Sequence, residues 1–104
     1  MNRVRRTYAV VWGTNAEFGP GRLERLDNRF ELHGRNRRLS IPFSDLVGAH
    51  IARGHDDRFH GLPVLALDLA EGPSVWVASL EGTAALHELV ELADRTISAA
   101  AVRA

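Results

Sequence analysis

Apolar and polar positions alternate through most of this chain, and the period changes once, near residue 83. From Thr83 to Val102, the residues Leu86, Leu89, Val90, Ala93, Ile97 and Ala100 recur at i, i+3, i+4, i+7, i+11 and i+14, which stacks them on one face of an α-helix. His87, Glu88, Glu91, Asp94 and Arg95 fall largely on the other side, and Glu91 stands one helical turn before Arg95, the favourable order for an ion pair. The pattern predicts an amphipathic helix over about residues 83–100, with Thr83 as its expected N-cap. Its stripe needs something to cover.

Upstream, the period is two. Arg6 to Gly13 reads as a strand with Tyr8, Val10 and Trp12 on one face and Ala9 and Val11 on the other. Residues 13–21 are dense in Gly, Pro, Asn and Thr and read as a loop, with Phe18 tucked back onto the fold. Arg22 to Leu26 gives a second strand and Asp27-Asn28 a turn. Arg29 to His33 gives a third strand, with Phe30 and Leu32 inward and Arg29, Glu31 and His33 outward. After the turn Gly34-Arg35-Asn36, Arg37 to Phe43 alternates again, with Leu39, Ile41 and Phe43 on the core face. Pro42 cannot donate to a ladder, which places it on an edge strand or at a strand end.

Ser44-Asp45 makes a tight turn or a single helical turn. A fifth strand follows from Leu46 to Arg53, with Val47, Ala49 and Ile51 expected on one face and a bend or bulge at Gly48. Gly54 to Gly61 is a polar loop. Leu62 to Ala70 is a sixth strand with Leu65, Leu67 and Leu69 facing one way. Ser74 to Leu80 is a seventh, with Val75 and Val77 opposite Trp76, Ala78 and Leu80. The fold class that results is mainly β with one C-terminal helix: a single domain over residues 1–104, its strands within about 6–80.

Composition changes this picture little. With 104 residues the chain can bury one core, and without cysteine it has neither disulfides nor thiolate chemistry. No stretch is long and apolar enough to span a bilayer, and the run Tyr8 to Trp12 is too short for a signal-peptide core, so a cytoplasmic location is expected. Charge does add something. The net charge is zero, yet residues 1–60 hold eleven Arg against seven acidic residues, while 61–104 hold two against six. All thirteen basic residues are Arg, which a bias in coding composition explains as simply as any function.

Seven antiparallel strands and a C-terminal amphipathic helix follow the element order of pleckstrin-homology-like domains. Gly21-Arg22-Leu23, then Asp27 to Leu32, then Leu39-Ser40-Ile41-Pro42-Phe43-Ser44-Asp45-Leu46-Val47-Gly48 resembles the bacterial pleckstrin-homology and GRAM-like relatives. The resemblance implies two nearly orthogonal sheets in a seven-stranded, partly open barrel capped by the helix. Two features depart from that family. The helix lacks the tryptophan many members carry, and residues 13–21 lack the basic residues of phosphoinositide binders, so inositol-phosphate recognition in the familiar mode is not expected.

Arg22, Arg35, Arg37 and Arg38 cluster around the strand turns and are the candidate binding residues, since clustered guanidinium groups hold carboxylates or phosphates. Arg3, Arg5 and Arg6 form a second basic group. No aromatic residues are interleaved with these arginines to stack bases, so nucleic acid is not expected. His55, Asp56, Asp57 and His60, with His50 upstream, offer metal-ligand types, but their spacing matches no metal motif and Arg58 lies among them. No nucleophile elbow or phosphate-cradling glycine motif is present, and no catalytic residue, metal site or cofactor is assigned. Asp68 interrupts the sixth strand and calls for a hydrogen-bond partner if its face is buried. Trp12 and Trp76 are expected in the core before they are expected at an interface.

The expected function is a non-enzymatic binding or scaffold module for a protein partner, with an edge strand open to self-association as a homodimer. An anionic-lipid or membrane-surface module built on the same arginines is the runner-up. A small metal protein or enzyme using residues 55–60 ranks third.

Overall fold

Period-two alternation from residue 6 to residue 79 produces seven strands, and the computed structural model, which describes residues 3–14, 17–52 and 62–103, hydrogen-bonds them into one antiparallel sheet. The strands are β1 (Arg6–Thr14), β2 (Glu17–Arg25), β3 (Arg29–Gly34), β4 (Arg37–Pro42), β5 (Leu46–Ala52), β6 (Val64–Leu69) and β7 (Val75–Ser79). A short 3-10 turn, Phe43–Asp45, joins β4 to β5, and one helix, α1 (Thr83–Arg103), closes the described chain. The order across the sheet is β4-β3-β2-β1-β7-β6-β5. Because β1 pairs with both β2 and β7, the two sheets implied by the family resemblance are one continuous ladder curled into a half-barrel.

The inward-facing residues of every strand meet the stripe of α1. Tyr8, Val10, Leu23, Phe30, Leu32, Ile41, Leu65, Leu67, Val75 and Val77 form a single cluster with Leu86, Leu89 and Ala93. Ala85 and Leu92 join it, widening the stripe beyond the residues expected from spacing, while Val90 and Ile97 pack at its margin. Burying a leucine in such a core stabilises the fold by about 2 kcal/mol. The helix begins behind Gly82, whose φ of 104° lies in the region favouring glycine, and the Leu86 N–H donates to the Gly82 carbonyl at 3.3 Å.

Polar contacts fix where the helix sits. The Tyr8 hydroxyl donates to Glu88 at 2.7 Å, Arg6 lies 4.5 Å over the Tyr8 ring while reaching Glu88, and the Ala9 N–H donates to the Glu81 carboxylate at 2.6 Å. Burial first, then the bond to Glu88, pushes the Tyr8 phenol up to about 12. Arg5 is likewise engaged, 2.6 Å from Asp27. Of the basic N-terminal group, Arg5 and Arg6 are therefore paired within the fold.

Two readings of the sequence change. Of residues 13–21, expected as a loop, Gly13 and Thr14 instead extend β1 and residues 17–21 extend β2, paired antiparallel. Gly21 answers a packing demand: it lies across from Val10, and a Cβ on it would stand 1.9 Å from the His33 carbonyl oxygen and 2.9 Å from the Trp12 indole nitrogen. Pro20 lies beyond the last β2–β3 pair, Gly21 with Gly34, where no ladder bond to β3 is due. The second change is in β5. The expected irregularity at Gly48 is a register shift between Leu46 and Gly48; it turns Leu46 into the core and leaves Val47, expected beside Ala49 and Ile51, 57% exposed.

The reverse of the sheet carries a smaller apolar group. Val64 and Ala78 are fully covered there, with Val11, Phe18 and Trp76 packed around them. Phe18 thus folds back as expected. Trp76 belongs to this outer group, not to the main core.

Candidate functional site

The outer face of β2, β3 and β4 gathers most of the charged residues singled out from the sequence. Each strand has one face in the core, so its alternate residues must point away, and the register decides which of them meet. Arg22, His33 and Arg38 lie in one cross-strand row, and Glu24, Glu31 and Ser40 in the next. Arg35 and Asn36 make the two-residue turn between β3 and β4; Asn36 takes φ 60°, a conformation asparagine tolerates better than most residues.

Glu31 is the centre of this lattice. Its residue is 6% exposed, with Arg29 Nε 3.0 Å from one carboxylate oxygen and an Arg38 terminal nitrogen 2.8 Å from the other. The hydrogen bond from Arg38 holds the Glu31 pKa below the ordinary value, with desolvation opposing and Arg29 adding in the same direction. His33 Nε2 lies 2.8 Å from Glu24 and 3.6 Å from Glu31, and Arg22 Nε lies 3.6 Å from Glu24. The close His33–Glu24 contact is an ion-pair distance without good hydrogen-bond geometry, and Nε2 has no hydrogen-bond partner among the described residues.

Glu24, Glu31 and His33 bring three metal-ligand atoms within 4.8 Å of one another. Their surroundings argue for a different role. Arg22, Arg29 and Arg38 contact these same two carboxylates, so the negative charge a divalent ion needs is already balanced by three guanidinium groups. The cluster is an ionic clasp across three strands.

Beside it lies an open groove of about 330 Å³ lined by Pro20, Gly21, Arg22, His33, Gly34 and Arg35. Of the four predicted binding residues, Arg22 and Arg35 line it. Arg38 sits one row position from Arg22 across β3 but has a nitrogen committed to Glu31, though its side chain is 65% exposed. Arg37 is turned to the opposite face. Its Cζ stacks 3.9 Å from the centre of the Trp12 ring, and its guanidinium donates to the Trp12 carbonyl. Trp12 in turn donates to the His33 carbonyl at 3.0 Å and is buried, so Arg37 and Trp12 close one end of the barrel. Arg35 has no polar partner among the described residues.

The sequence reading missed the part played by Glu24 and Glu31. The signal that could have found it is the alternation Arg29-Glu31-His33 opposite Arg38 across a two-residue turn. Asp68 has the partner it called for: Ser74 donates to it at 2.7 Å, and His50 Nδ1 lies 3.5 Å away. The group His55, Asp56, Asp57 and His60 lies outside the described residues. A second depression, of about 60 Å³ beside the start of α1, is lined by Leu62, Pro63, Ser79, Gly82, Thr83 and Leu86 and has room for little more than a water or two.

No family model matches the chain, and no curated protein does. Among solved structures, the chain is similar to the C-terminal domain of an unknown protein from Leishmania infantum, with a TM-score of 0.67 and 9% sequence identity over 88% of this chain and 84% of that one. At that identity the likeness speaks for the fold: a curled seven-stranded antiparallel sheet closed by a C-terminal helix. No helix among the described residues is long and apolar enough to cross a membrane.

Proposed function

We propose that this chain is a pleckstrin-homology-like, non-enzymatic binding module that recognises an acidic segment of a protein partner through the groove between Arg22 and Arg35. The observation that carries the reading is Arg35, held at the tip of a tight turn with no polar partner among the described residues, over a groove whose other wall is Arg22. Arg22 is half-exposed and its contact with Glu24 is loose at 3.6 Å, so an incoming carboxylate can compete for it. Two arginines at the rim of one groove suit a short carboxylate-bearing segment better than a membrane surface, for which clusters of about four or more basic residues are the usual signature.

Affinity capture from the native cell tests this, comparing wild type with the double substitution Arg22→Glu/Arg35→Glu and with Arg95→Glu on the exposed face of α1. A partner retained by wild type and by Arg95→Glu but lost by the double variant supports the groove. Equal retention by all three overturns it. Salt-sensitive binding of wild type to anionic lipid vesicles, lost in the same double variant, would replace the protein reading with the membrane one.

A further inference from the structure

The groove holds a third basic side chain, His33, whose charge is not fixed. Its ring lines the groove with Arg22 and Arg35, and in the strand register it stands between Arg22 of β2 and Arg38 of β4. Histidine gains a proton between about pH 8 and pH 5, while arginine stays charged throughout. A neutral imidazole separates the two guanidinium groups of this row. A charged one completes a row of three cations.

The charged groups around that ring come from three strands: Arg22 and Glu24 from β2, Arg29 and Glu31 from β3, and Arg38 from β4. Glu31 has one oxygen 3.0 Å from Arg29 and the other 2.8 Å from Arg38, so it is engaged on both sides. Glu24 is the acid left for the ring. His33 Nε2 lies 2.8 Å from one Glu24 oxygen and is buried without a hydrogen-bond partner among the described residues, and Arg22 reaches the other oxygen at 3.6 Å. One carboxylate therefore stands between His33 and Arg22.

We infer that His33 is a proton-operated gate on the groove: its protonation loosens Arg22 from Glu24 and raises the affinity for an acidic segment as the pH falls from about 8 to about 6. Two effects act in the same direction. The imidazolium offsets the Glu24 charge that holds Arg22, and like charges opposite each other in a cross-strand row repel, a penalty that an incoming carboxylate relieves. The ligand's own carboxylates titrate near about pH 4 and stay ionised over this range, so the change belongs to the protein. The inference rests on the groove reading above for its ligand and adds the condition under which that site is strongest.

Calorimetric titration with a blocked hexaglutamate peptide at roughly pH 8, 7 and 6, at constant ionic strength, tests it. For wild type the dissociation constant should fall about threefold across the range, the size expected of one partly exposed ion pair. His33→Gln, uncharged at every pH, should bind as wild type does at the alkaline end and show no such fall. The chain's other histidines remain in that variant, so a pH dependence that survives in it comes from elsewhere and overturns the gate. A wild type that binds equally at all three pH values overturns it as well. Glu24→Gln, which releases Arg22 from the start, should bind more tightly than wild type at the alkaline end; a variant no tighter overturns the route through Arg22.

A second readout needs no ligand. The Arg22 Cζ signal in carbon-detected magnetic resonance spectra of the free chain should move over the same pH range in wild type and stay fixed in His33→Gln. If the peptide binds no form of the chain, or binds Arg22→Glu/Arg35→Glu as well as wild type, the groove reading fails, and the Arg22 signal alone decides whether His33 acts on Arg22. A signal that moves equally in both forms, or in neither, overturns the gate whether or not the peptide binds. His33 Nε2 makes no hydrogen bond that glutamine would break, so the fold is expected to survive, which circular dichroism checks.

Discussion

The two halves of the sheet share one core yet differ on the face turned away from it. Over β2, β3 and β4 that face is an ionic lattice in which Glu31 and Glu24 join three arginines and His33. Over β1, β7 and the start of β6 it is apolar, with Trp76 and, from the hairpin end of β2, Phe18 shielding Val64 and Ala78. The inner faces do the same thing by the same means, burial of branched and aromatic side chains against α1. The outer faces hold strands together by different physics: screened, directional and titratable on one side, and insensitive to salt and pH on the other. Recognition chemistry collects on the charged half because a lattice of partly satisfied charges can exchange one partner for another, whereas an apolar cover cannot.

The largest effect expected comes from a pair of glycines, one in each half. A Cβ on Gly21 would stand 1.9 Å from the His33 carbonyl oxygen, a backbone atom that cannot move without breaking the β2–β3 ladder and the Trp12 bond to that same oxygen. Gly21→Ala should cost about 3 kcal/mol or more and lower the melting temperature by roughly 12 °C or more. A Cβ on Gly48 meets side-chain atoms of Asp68 alone, Oδ2 at 2.9 Å and Cβ at 3.3 Å; the carboxylate can swing aside, and the Cβ contact needs a shift of only a few tenths of an ångström. Gly48→Ala should cost about 1 kcal/mol or less. Thermal denaturation followed by circular dichroism compares them, and equal losses would mean that Asp68 is held as rigidly as backbone.

Next in size is a contrast between the outer faces themselves. Trp76→Ala removes half-buried apolar cover and should cost about 2 kcal/mol, the same at low and high salt. Glu31→Gln keeps the side chain's shape but removes the charge that Arg29 and Arg38 converge on, and should cost about 1 kcal/mol at low ionic strength, because Arg38 is mostly exposed. Added salt should shrink that loss. Urea denaturation at two sodium chloride concentrations separates the cases, since urea adds no charge of its own. A salt-independent Glu31→Gln loss would show that the lattice acts by packing and would erase the distinction between the halves.

These two halves were not equally legible in the sequence. Strand alternation and the helical stripe carry the core, because burial leaves a periodic mark: Tyr8, Val10 and Trp12, or Leu86 and Leu89, announce a face before any partner is known. Cross-strand register leaves no such mark. The spacing of Arg22, Glu24, Glu31, His33 and Arg38 does not say that they share two rows, and Arg37 reads as one more surface arginine although it stacks on Trp12. Residues 13–21 misled for a related reason. Glycine and proline are read as turn formers, yet glycine is also needed inside a strand at position 21, where the Trp12 indole and the His33 carbonyl leave no room for a Cβ. Val47 was assigned to the wrong face because a bulge breaks the count, and Gly48 marked where a break was to be expected without saying which residue it would expel.

The smallest effect is the most specific to the charged half. In the folded chain Glu31 titrates below its ordinary value of 4.5, chiefly because Arg38 hydrogen-bonds to it. A carboxyl group whose pKa is depressed by folding contributes stability that is fully present above the unfolded value and is lost as pH falls through the folded one. The window therefore opens near pH 4.5 and extends downward. Asp27, held down by Arg5, and Glu88, held down first by Tyr8 and then by Arg6, lose their contributions in the same acidic range, so the acid denaturation of wild type alone does not isolate Glu31. The difference between wild type and Glu31→Gln does, because the other groups are common to both. That difference, about 1 kcal/mol at neutral pH, should stay flat down to about pH 5 and close toward zero below it, while the Trp76→Ala deficit should remain constant over the same range. Urea denaturation at a series of pH values reads both. A Glu31 difference that persists into strong acid would mean the neutral carboxyl is worth as much to the three strands as the charged one.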